Sequence, residues 1–539
     1  MIKSSVKNSI ITEYLMPVRI VAEQNCKNSG EILKERARQV ELFADITSLE
    51  IEKGGYIILD LGSEIQGGVM ITITDAPDDT HLRIVFGESV SEAMSHIGLK
   101  NATNNHAIRD MVWPVTCFQN FRAGNTGFRF VKIEAVDNPV TISSIQGAFD
   151  HRDIERIGKF ECSDQLLNKI WEVGAYTVFL NMQEYLWDGI KRDRLVWAGD
   201  MHPEIKTILS TYGDNEVIRK SLDFISHITP CDKWMNTIPS YNMWWLKCQY
   251  DLYMWSGDLE YLAGHKDYIV GMTENILSVV NSDGTHNLDM FTEWNSHETP
   301  WEKAGFQAIL ALGIEAAGEL CRLLSRDELY EKCKDITQVV KKHIYPYAGN
   351  KQIAAMLSLA DMLGAKDVSD NVLKVEGAKG VSTFWGYYTL QALAKSGDMS
   401  SAQDITKGFW GKMLELGATT FWEDFDVAWA ENGAPIDEIV PDGMVDVHGD
   451  YGKFCYEGFR HSLCHGWASG PTAFMSEYVL GIKILEAGCR KIKIEPQLGK
   501  LEWARGSFPT PYGEIFVEHK IVNGTVETTY EAPDEIEII

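Results

Sequence analysis

Residues 163–184 have the sequence SDQLLNKIWEVGAYTVFLNMQE and open a long helical region. Ser163 is a typical N-cap residue, and the apolar residues after it recur at helical spacing. Similar helical segments follow for about 330 residues, with no fixed repeat period, which disfavours a tetratricopeptide-type solenoid. Long helices joined by irregular, aromatic-rich connectors favour an (α/α)6 helical barrel with a pocket built from the connectors at one end.

Short β-branched runs lie on both sides of this helical region. Before it come five runs separated by Gly, Asp and Pro turns, at 55–62, 69–76, 81–89, 128–136 and 141–149. After it come 490–497 and 501–532, with a hairpin turn predicted at VNGT, 522–525. The sequence therefore predicts a multidomain α and β protein in which antiparallel β-sandwich domains flank the helical barrel. The predicted domains are 1–155, 156–488 and 489–539.

Composition excludes several classes of protein. The 539 residues carry a formal charge of −27 and no basic run, which argues against a nucleic-acid partner. The N-terminal stretch lacks the apolar core of a signal peptide, and no apolar segment reaches membrane-spanning length. Ten cysteines without a C-x-x-C pair are typical of reduced thiols, so we expect a cytoplasmic protein without a membrane association. The sequence does not indicate the oligomeric state, so a homodimer is left as one alternative.

The densest polar cluster of the helical region lies between Trp187 and Asp200. Three carboxylates and two guanidiniums alternate there with tryptophans; they are Asp188, Arg192, Asp193, Arg194 and Asp200, with Trp187 and Trp197. Sugars are bound by carboxylates that accept hydrogen bonds from hydroxyls and by aromatic rings that cover the apolar face. The alternative interpretation is a solvated turn with internal salt bridges, because runs of charge usually lie at the surface.

Three further clusters could contribute to the same pocket. GATTFWEDFD, 417–426, places Glu423 directly after an aromatic residue, although acidic residues also favour helix N-termini. FTEWNSHETPWEK, 291–303, contains Trp294, and HSLCHGWASGP, 461–471, contains His465. None of the clusters has the ligand spacing of a zinc site, so no metal or other cofactor is expected.

Glycoside hydrolysis is one chemistry that needs such clusters. One carboxylic acid protonates the leaving oxygen, while a second carboxylate attacks the sugar or activates water. Asp193 and Glu423 lie far apart in sequence, but both lie on connectors of the predicted barrel. They can therefore converge on one pocket.

Two of these motifs resemble glycoside hydrolase family 78, the bacterial α-L-rhamnosidases. DGIKRDRLVWAGD, 188–200, is similar to the family signature D-C-P-x-R-E-R-L-G-W-T-G-D, and GATTFWE, 417–423, is similar to G-A-T-T-I-W-E. DLGSEIQGGVMITI, 60–73, and PTPYGEIFV, 509–517, look like parts of the family's flanking sandwiches. The chain departs from the family in having Asp193 where the family has Glu, and in HSLCHGWASGP, where the family has N-H-Y-A-F-G.

The resemblance implies an inverting exo-α-L-rhamnosidase that acts on a rhamnose-containing glycoside. It implies that Asp193 is the general acid and Glu423 the general base. It further implies a substrate-binding set that consists of Asp188, Arg192, Trp197, Asp200, Trp245, Trp294, Trp385 and His465. Two other functions stay open: a helical-barrel hydrolase of another sugar, such as an unsaturated uronide, and a sugar-binding relative that has lost its activity.

Overall fold

The computed structural model describes residues 9–40, 46–452 and 456–539. Its N-terminal β region, residues 10–152, is a seven-stranded sheet in which every pairing is antiparallel. The strand order is β1-β7-β3-β6-β4-β5, and β2 pairs with β3. The strands are β1 (Ile10–Leu15), β2 (Arg19–Lys27), β3 (Leu49–Asp75), β4 (Thr80–Gly87), β5 (Asp110–Val115), β6 (Asn120–Ala135) and β7 (Val140–Arg152), with a short helix α1 (Val90–Ala93) after β4.

Each predicted run of this region overlaps a strand of the structure, but the bounds differ, and β1, β2 and β5 are not among the predicted runs. The runs at 55–62 and 69–76 belong to the single 27-residue strand β3, because the backbone between them stays extended. The register of β3 against β6 shifts between Asp60 and Ile65, which marks the junction of the two runs. The buried side chains of β3, β6 and β7 form the core of the region.

The helical region, residues 165–479, follows strand β8 (Lys159–Cys162). Helix α8 packs against α5, α7, α9 and α10, and one large apolar core runs through the region. The helices are α2 (Gln165–Asn181), α3 (Met201–Thr211), α4 (Glu216–Ile228), α5 (Pro239–Ser256), α6 (Leu259–Gly264), α7 (Lys266–Ser278), α8 (Glu302–Leu323), α9 (Asp327–Lys342), α10 (Lys351–Leu359), α11 (Ala365–Val368), α12 (Gly386–Lys395), α13 (Met399–Glu415), α14 (Val447–Asp450) and α15 (Gly470–Phe474), with a two-stranded pair β9 (Gly433–Ala434) and β10 (Val445–Asp446).

Helix α2 begins one residue later than it would with the predicted N-cap Ser163. The N-cap is Asp164, whose Oδ1 accepts hydrogen bonds from the backbone N–H groups of Leu166 and Leu167. Ser163 lies before the helix, and its N–H donates to the carbonyl of Trp503, in the strand β13 that pairs with β8. The tertiary pairing of β8 therefore sets the helix start, and an aspartate supplies the cap.

The C-terminal β region, residues 482–538, contains two sheets. Strand β8, which precedes the helical region in sequence, completes one of them in the order β15-β14-β13-β8. The turn predicted at VNGT joins β14 to β15, with Asn523 and Gly524 both at positive φ. The strands are β11 (Ile482–Glu486), β12 (Lys491–Ile494), β13 (Trp503–Thr510), β14 (Gly513–Val522), β15 (Thr525–Glu531) and β16 (Glu537–Ile538).

Two sequence expectations concern whole-chain properties. Helix α8 has the length and apolar composition of a membrane-crossing helix, but 83% of its most apolar window is buried inside the protein, as in a core helix. The nine cysteines within the described ranges are all free thiols. Residues 1–8 of the N-terminal stretch and Cys455 lie outside the described residues.

Candidate active site

A cavity of about 340 Å³ opens at one end of the helical region. Connectors between helices build it: the α2–α3 segment, the start of α5, the α7–α8 segment, and the segments after α13 and before α15. The lining residues are Asp188, Asp193, Trp197, Asp200, Asn236, Thr237, Ile238, Tyr241, Phe291, Trp294, Glu423, Tyr456, His465 and Trp467. The four sequence clusters therefore meet in one place, as the two-acid argument requires.

The α2–α3 segment is closed into a loop by its first carboxylate. Asp188 Oδ1 accepts the N–H of Leu195 at 2.9 Å, and the N–H of Asp188 donates to the carbonyl of Leu195 at 3.1 Å. At the tip, Asp193 and Arg194 both have left-handed backbones, with φ of 52° and 56°. Two consecutive non-glycine residues in this region are costly and are typical of functional loops. This loop brings the Asp193 side chain to the cavity.

Arg192 joins the two candidate catalytic carboxylates. Its Nη1 lies 2.7 Å from Asp193 Oδ1, and its Nη2 lies 2.5 Å from Glu423 Oε2. Its Nε donates to the carbonyl of Arg460 at 2.7 Å, and its guanidinium carbon lies 3.5 Å from the ring centroid of Tyr456. A planar guanidinium with several fixed donors is suited to such a bridge. Arg192 itself is buried and is not among the residues that line the cavity; it supports two carboxylates that do.

Glu423 is held by both its backbone and its side chain. Its N–H donates to the carbonyl of Ser462 at 3.0 Å, and its Oε2 accepts the N–H of Ser462 at 3.2 Å. Its carbonyl accepts hydrogen bonds from Thr383 Oγ1 at 2.6 Å and from Trp467 Nε1 at 2.9 Å. The carboxylate therefore has a fixed orientation toward the cavity.

A histidine lies among the remaining carboxylates. His465 Nε2 is 3.7 Å from Asp188, 3.9 Å from Asp200 and 3.9 Å from Glu423. Burial lowers the pKa of His465 to about 4, so the imidazole is neutral near pH 7. Burial raises the pKa of Asp188 and of Asp200 well above the usual range, and neighbouring carboxylates raise both further. A neutral imidazole can donate to, as well as accept from, sugar hydroxyls.

Aromatic rings form the walls of the cavity. Trp294 meets Phe291 edge to face, with 5.0 Å between ring centroids, and Trp197 meets Tyr241 in the same way at 6.2 Å. Trp467 covers another side and lies 4.4 Å from the His465 ring. Such rings suit the apolar face of a sugar ring and a methyl substituent.

Two predicted tryptophans lie elsewhere, which corrects the prediction. Trp245 is fully buried on α5, and its Nε1 donates to the carbonyl of Leu222 at 3.1 Å. Trp385 is fully buried at the start of α12 and packs against α8 at Gly305. Both rings are packed inside the core, and neither is among the residues that line the cavity. Packing is the commoner use of tryptophan in a large core.

Several cavity residues escape sequence analysis. Tyr241 lies in a segment whose pattern indicates only a helix, and its hydroxyl donates to Asp200 Oδ1 at 3.3 Å. Tyr456 and residues 236–238 belong to no motif. Pro239 at the first position of α5 is the one local signal, since it marks a helix start and therefore the connector before it.

A possible cation site lies next to the cavity rather than in it. Side-chain atoms of Glu88, Glu92 and His448 lie within 4.8 Å of one another. Lys191 Nζ lies among them, 2.8 Å from Glu88, 3.2 Å from Glu92 and 3.3 Å from His448 Nε2. The lysine ammonium therefore takes the place that a metal ion would need.

Two domain families described from bacterial α-L-rhamnosidases match parts of this chain. The bacterial α-L-rhamnosidase six-hairpin glycosidase domain matches residues 155–269, and the bacterial α-L-rhamnosidase C-terminal domain matches residues 481–538. An α-L-rhamnosidase of Alteromonas sp. (strain LOR) is 24% identical over 462 residues, which are 76% of this chain and 47% of that protein. The chain thus spans about half the length of this relative.

Solved structures share the fold. A rhamnosidase of glycoside hydrolase family 78 from Bacillus sp. GL1 superposes with a TM-score of 0.77 at 19% identity, covering 94% of this chain and 55% of that one. A Klebsiella oxytoca rhamnosidase with rhamnose bound superposes with a TM-score of 0.71 at 18% identity, covering 87% of this chain and 96% of that one.

Proposed function

We propose that this chain, which belongs to the bacterial α-L-rhamnosidases of glycoside hydrolase family 78, releases terminal α-L-rhamnose from rhamnosides with inversion. One observation carries the proposal. The Arg192 guanidinium joins the adjacent Asp193 to Glu423, which lies 231 positions from Arg192, at the wall of an aromatic-lined cavity. The proposal includes the finer architecture of an (α/α)6 barrel flanked by β-sandwiches, with which the six-hairpin description of the matched domain agrees.

Each carboxylate has a distinct role in this proposal. Asp193, the least buried of the four, protonates the glycosidic oxygen, while Glu423 removes a proton from the attacking water. Asp188 and Asp200 bind rhamnose hydroxyls together with His465. Trp197, Trp294 and Trp467 cover the apolar side of the sugar, including its methyl group.

The bridging guanidinium bounds the distance between the two catalytic oxygens. Asp193 Oδ1 and Glu423 Oε2 lie at 2.7 and 2.5 Å from neighbouring nitrogens of one planar fork. The two oxygens are therefore at most about 7.5 Å apart. This upper bound is compatible with the roughly 6.5–9.5 Å separation of inverting enzymes and with the roughly 5–5.5 Å separation of retaining enzymes. The anomer of the released sugar therefore has to distinguish the two mechanisms.

The charge of the cavity argues against a uronide substrate. A uronate carboxylate needs an available cation, and no Lys or Arg is among the described residues that line the cavity. Arg192 is engaged by Asp193, Glu423 and Arg460, while Arg194 donates to Asn125 O and Oδ1, both at 3.0 Å. A neutral, hydroxyl-rich sugar fits this arrangement better.

Two measurements test the function. Proton NMR of the product at early times, with an unactivated rhamnoside, should show β-rhamnose; initial release of α-rhamnose would overturn inversion. Asp193→Asn should lower turnover of that substrate by about 10²-fold or more, and that of a nitrophenyl rhamnoside by less, since its leaving group needs little protonation. The control is Asp426→Asn, three residues after Glu423. Asparagine can still accept the N–H of Ala428 and cap the short helix there, so activity should stay within about twofold of wild type.

A non-catalytic binder would behave differently in the same experiments. Calorimetry would detect rhamnose binding, but no member of a panel of rhamnosides would be hydrolysed. That result would reject the enzyme and support a sugar-binding protein.

A further inference from the structure

A buried ionic cluster lies where the N-terminal β region meets the candidate catalytic segment. Glu88 follows strand β4 and Glu92 lies on α1, so both carboxylates come from the N-terminal β region. They flank Lys191, whose Nζ lies 2.8 Å from Glu88 and 3.2 Å from Glu92. Lys191 immediately precedes the bridging Arg192. The N-terminal β region thus contacts the candidate site through a buried ammonium group.

The cluster is balanced in charge. The carboxylates of Glu88 and Glu92 face two cations, Lys191 and Arg109, and Arg109 Nη1 bonds to Glu92. Burial raises the pKa of a third acid, Glu64, well above its usual range, and the neighbouring Glu88 carboxylate raises it further. All five side chains are buried, and a charge here is tolerated only when it is paired. Glu88 and Glu92 therefore restrict where the Lys191 ammonium can lie.

The same cluster also holds the chain segment 459–463, which supports the candidate base. Lys191 Nζ donates to the carbonyl of Phe459 at 2.9 Å and to that of His461 at 2.5 Å. Glu88 accepts the N–H of Leu463 at 2.7 Å. This segment is thus fixed by the cluster on one side.

On its other side, the segment contacts the candidate catalytic groups. The carbonyl of Arg460 accepts Arg192 Nε at 2.7 Å, and the N–H of Ser462 donates to Glu423 Oε2 at 3.2 Å. A short path of hydrogen bonds therefore leads from Glu88 to Arg192 and Glu423. It passes through backbone groups, which cannot adjust by changing rotamer.

We propose that Lys191, held by Glu88 and Glu92 of the N-terminal β region, is a positioning residue for the hydrolytic reaction. It fixes Arg192 and the segment 459–463, and through them it sets the orientation of Asp193 and Glu423. The N-terminal β region is thereby part of the catalytic apparatus, not only a neighbouring domain. This inference rests on the function proposed above.

The test compares three variants of the full chain. Lys191→Met should lower kcat at least about 10-fold with KM within about threefold, because misplaced catalytic groups slow the reaction more than they weaken binding. The double variant Glu88→Gln/Lys191→Met removes one charge of each sign. It should regain most of the thermal midpoint that Lys191→Met loses, while its kcat stays low.

The matched control is a buried arginine at another contact between the same two regions. Arg152 Nη2 donates to the carbonyl of Gln183 at 2.6 Å, and neither residue is among those that line the cavity. Arg152→Gln should lower the thermal midpoint but leave kcat within about twofold. If kcat of the double variant recovers together with its midpoint, or if folded Lys191→Met keeps kcat within twofold, the positioning role is rejected.

A structural measurement separates this inference from the proposed function. In crystal structures of the wild-type protein and the double variant, the Arg192 guanidinium should differ in position by more than about 1 Å, the scale of misplacement that impairs catalysis. An unchanged Arg192 overturns the inference even if the protein hydrolyses rhamnosides. If the wild-type protein hydrolyses none, the proposed function fails, and the position of Arg192 still decides whether Lys191 sets it.

Discussion

Replacing Arg192 by lysine tests whether the guanidinium bridge, rather than positive charge alone, organises the site. Arg192 contacts the oxygen atoms Asp193 Oδ1, Glu423 Oε2 and the carbonyl of Arg460. A single ammonium on a differently shaped side chain can replace one of them. The variant keeps the charge, so a large effect reports on geometry.

The magnitude follows from the bonds lost. A charge-assisted hydrogen bond contributes about 1.5–3 kcal/mol, and Arg192 is only 3% exposed, so water compensates little. Losing two such bonds costs about 3–6 kcal/mol in total, shared between folding and catalysis. If about 3 kcal/mol of this loss is a loss of transition-state stabilisation, kcat/KM decreases by about 10²-fold, because about 1.4 kcal/mol corresponds to a factor of ten.

The assay measures kcat/KM on a nitrophenyl α-L-rhamnoside, with thermal unfolding measured in parallel. The matched control is Arg194→Lys, two residues along the same loop, since Arg194 contacts Asn125 and the Trp187 ring but neither catalytic carboxylate. We expect the control to stay within about threefold of wild type. The reasoning is refuted if Arg192→Lys retains a third of the activity, or if both variants lose activity equally.

Three further predictions address packing and pH. Trp197→Ala should raise KM, because its half-buried ring lines the cavity. Trp245→Ala should lower the free energy of unfolding in urea by about 3–5 kcal/mol and leave KM unchanged. A change of KM in the Trp245 variant would contradict the position of this ring outside the cavity. Gly466→Ala would place its Cβ 1.7 Å from Glu204 Oε1, so we expect a loss of about 1–3 kcal/mol in stability, and an unchanged unfolding midpoint would show that Glu204 can move. Burial raises the pKa of Glu293 to about 8, so the folded protein binds an extra proton there and loses stability as pH rises from about 4.5 to 8, by up to about 1.4 kcal/mol per pH unit. Glu293→Gln should flatten this dependence in unfolding experiments at several pH values; an unaltered slope would mean that Glu293 does not titrate in that window.

Local patterns indicate the types of element and the two candidate catalytic motifs. Apolar spacing predicts α2 and its neighbours, and β-branched runs between turn residues predict β4, β6 and β7, because these signals lie in neighbouring residues. Turn chemistry identifies the Asn523–Gly524 hairpin for the same reason. The stretches around Asp193 and Glu423 are recognisable as motifs because their residue types and order are preserved within a few positions.

Tertiary structure decides which side chains share the cavity. Tryptophans occupy two kinds of position: Trp197 and Trp294 line the cavity, while Trp245 and Trp385 are packed between helices in the core. Which kind of position applies depends on where helices cross, and that is set by packing over the whole core rather than by the neighbouring sequence. Likewise, no local signal indicates that Lys191 contacts Glu88, which follows strand β4 about a hundred residues earlier. The sequence by itself thus determines the groups available for chemistry, and only the packing of distant segments brings Asp193, Arg192 and Glu423 within bonding distance.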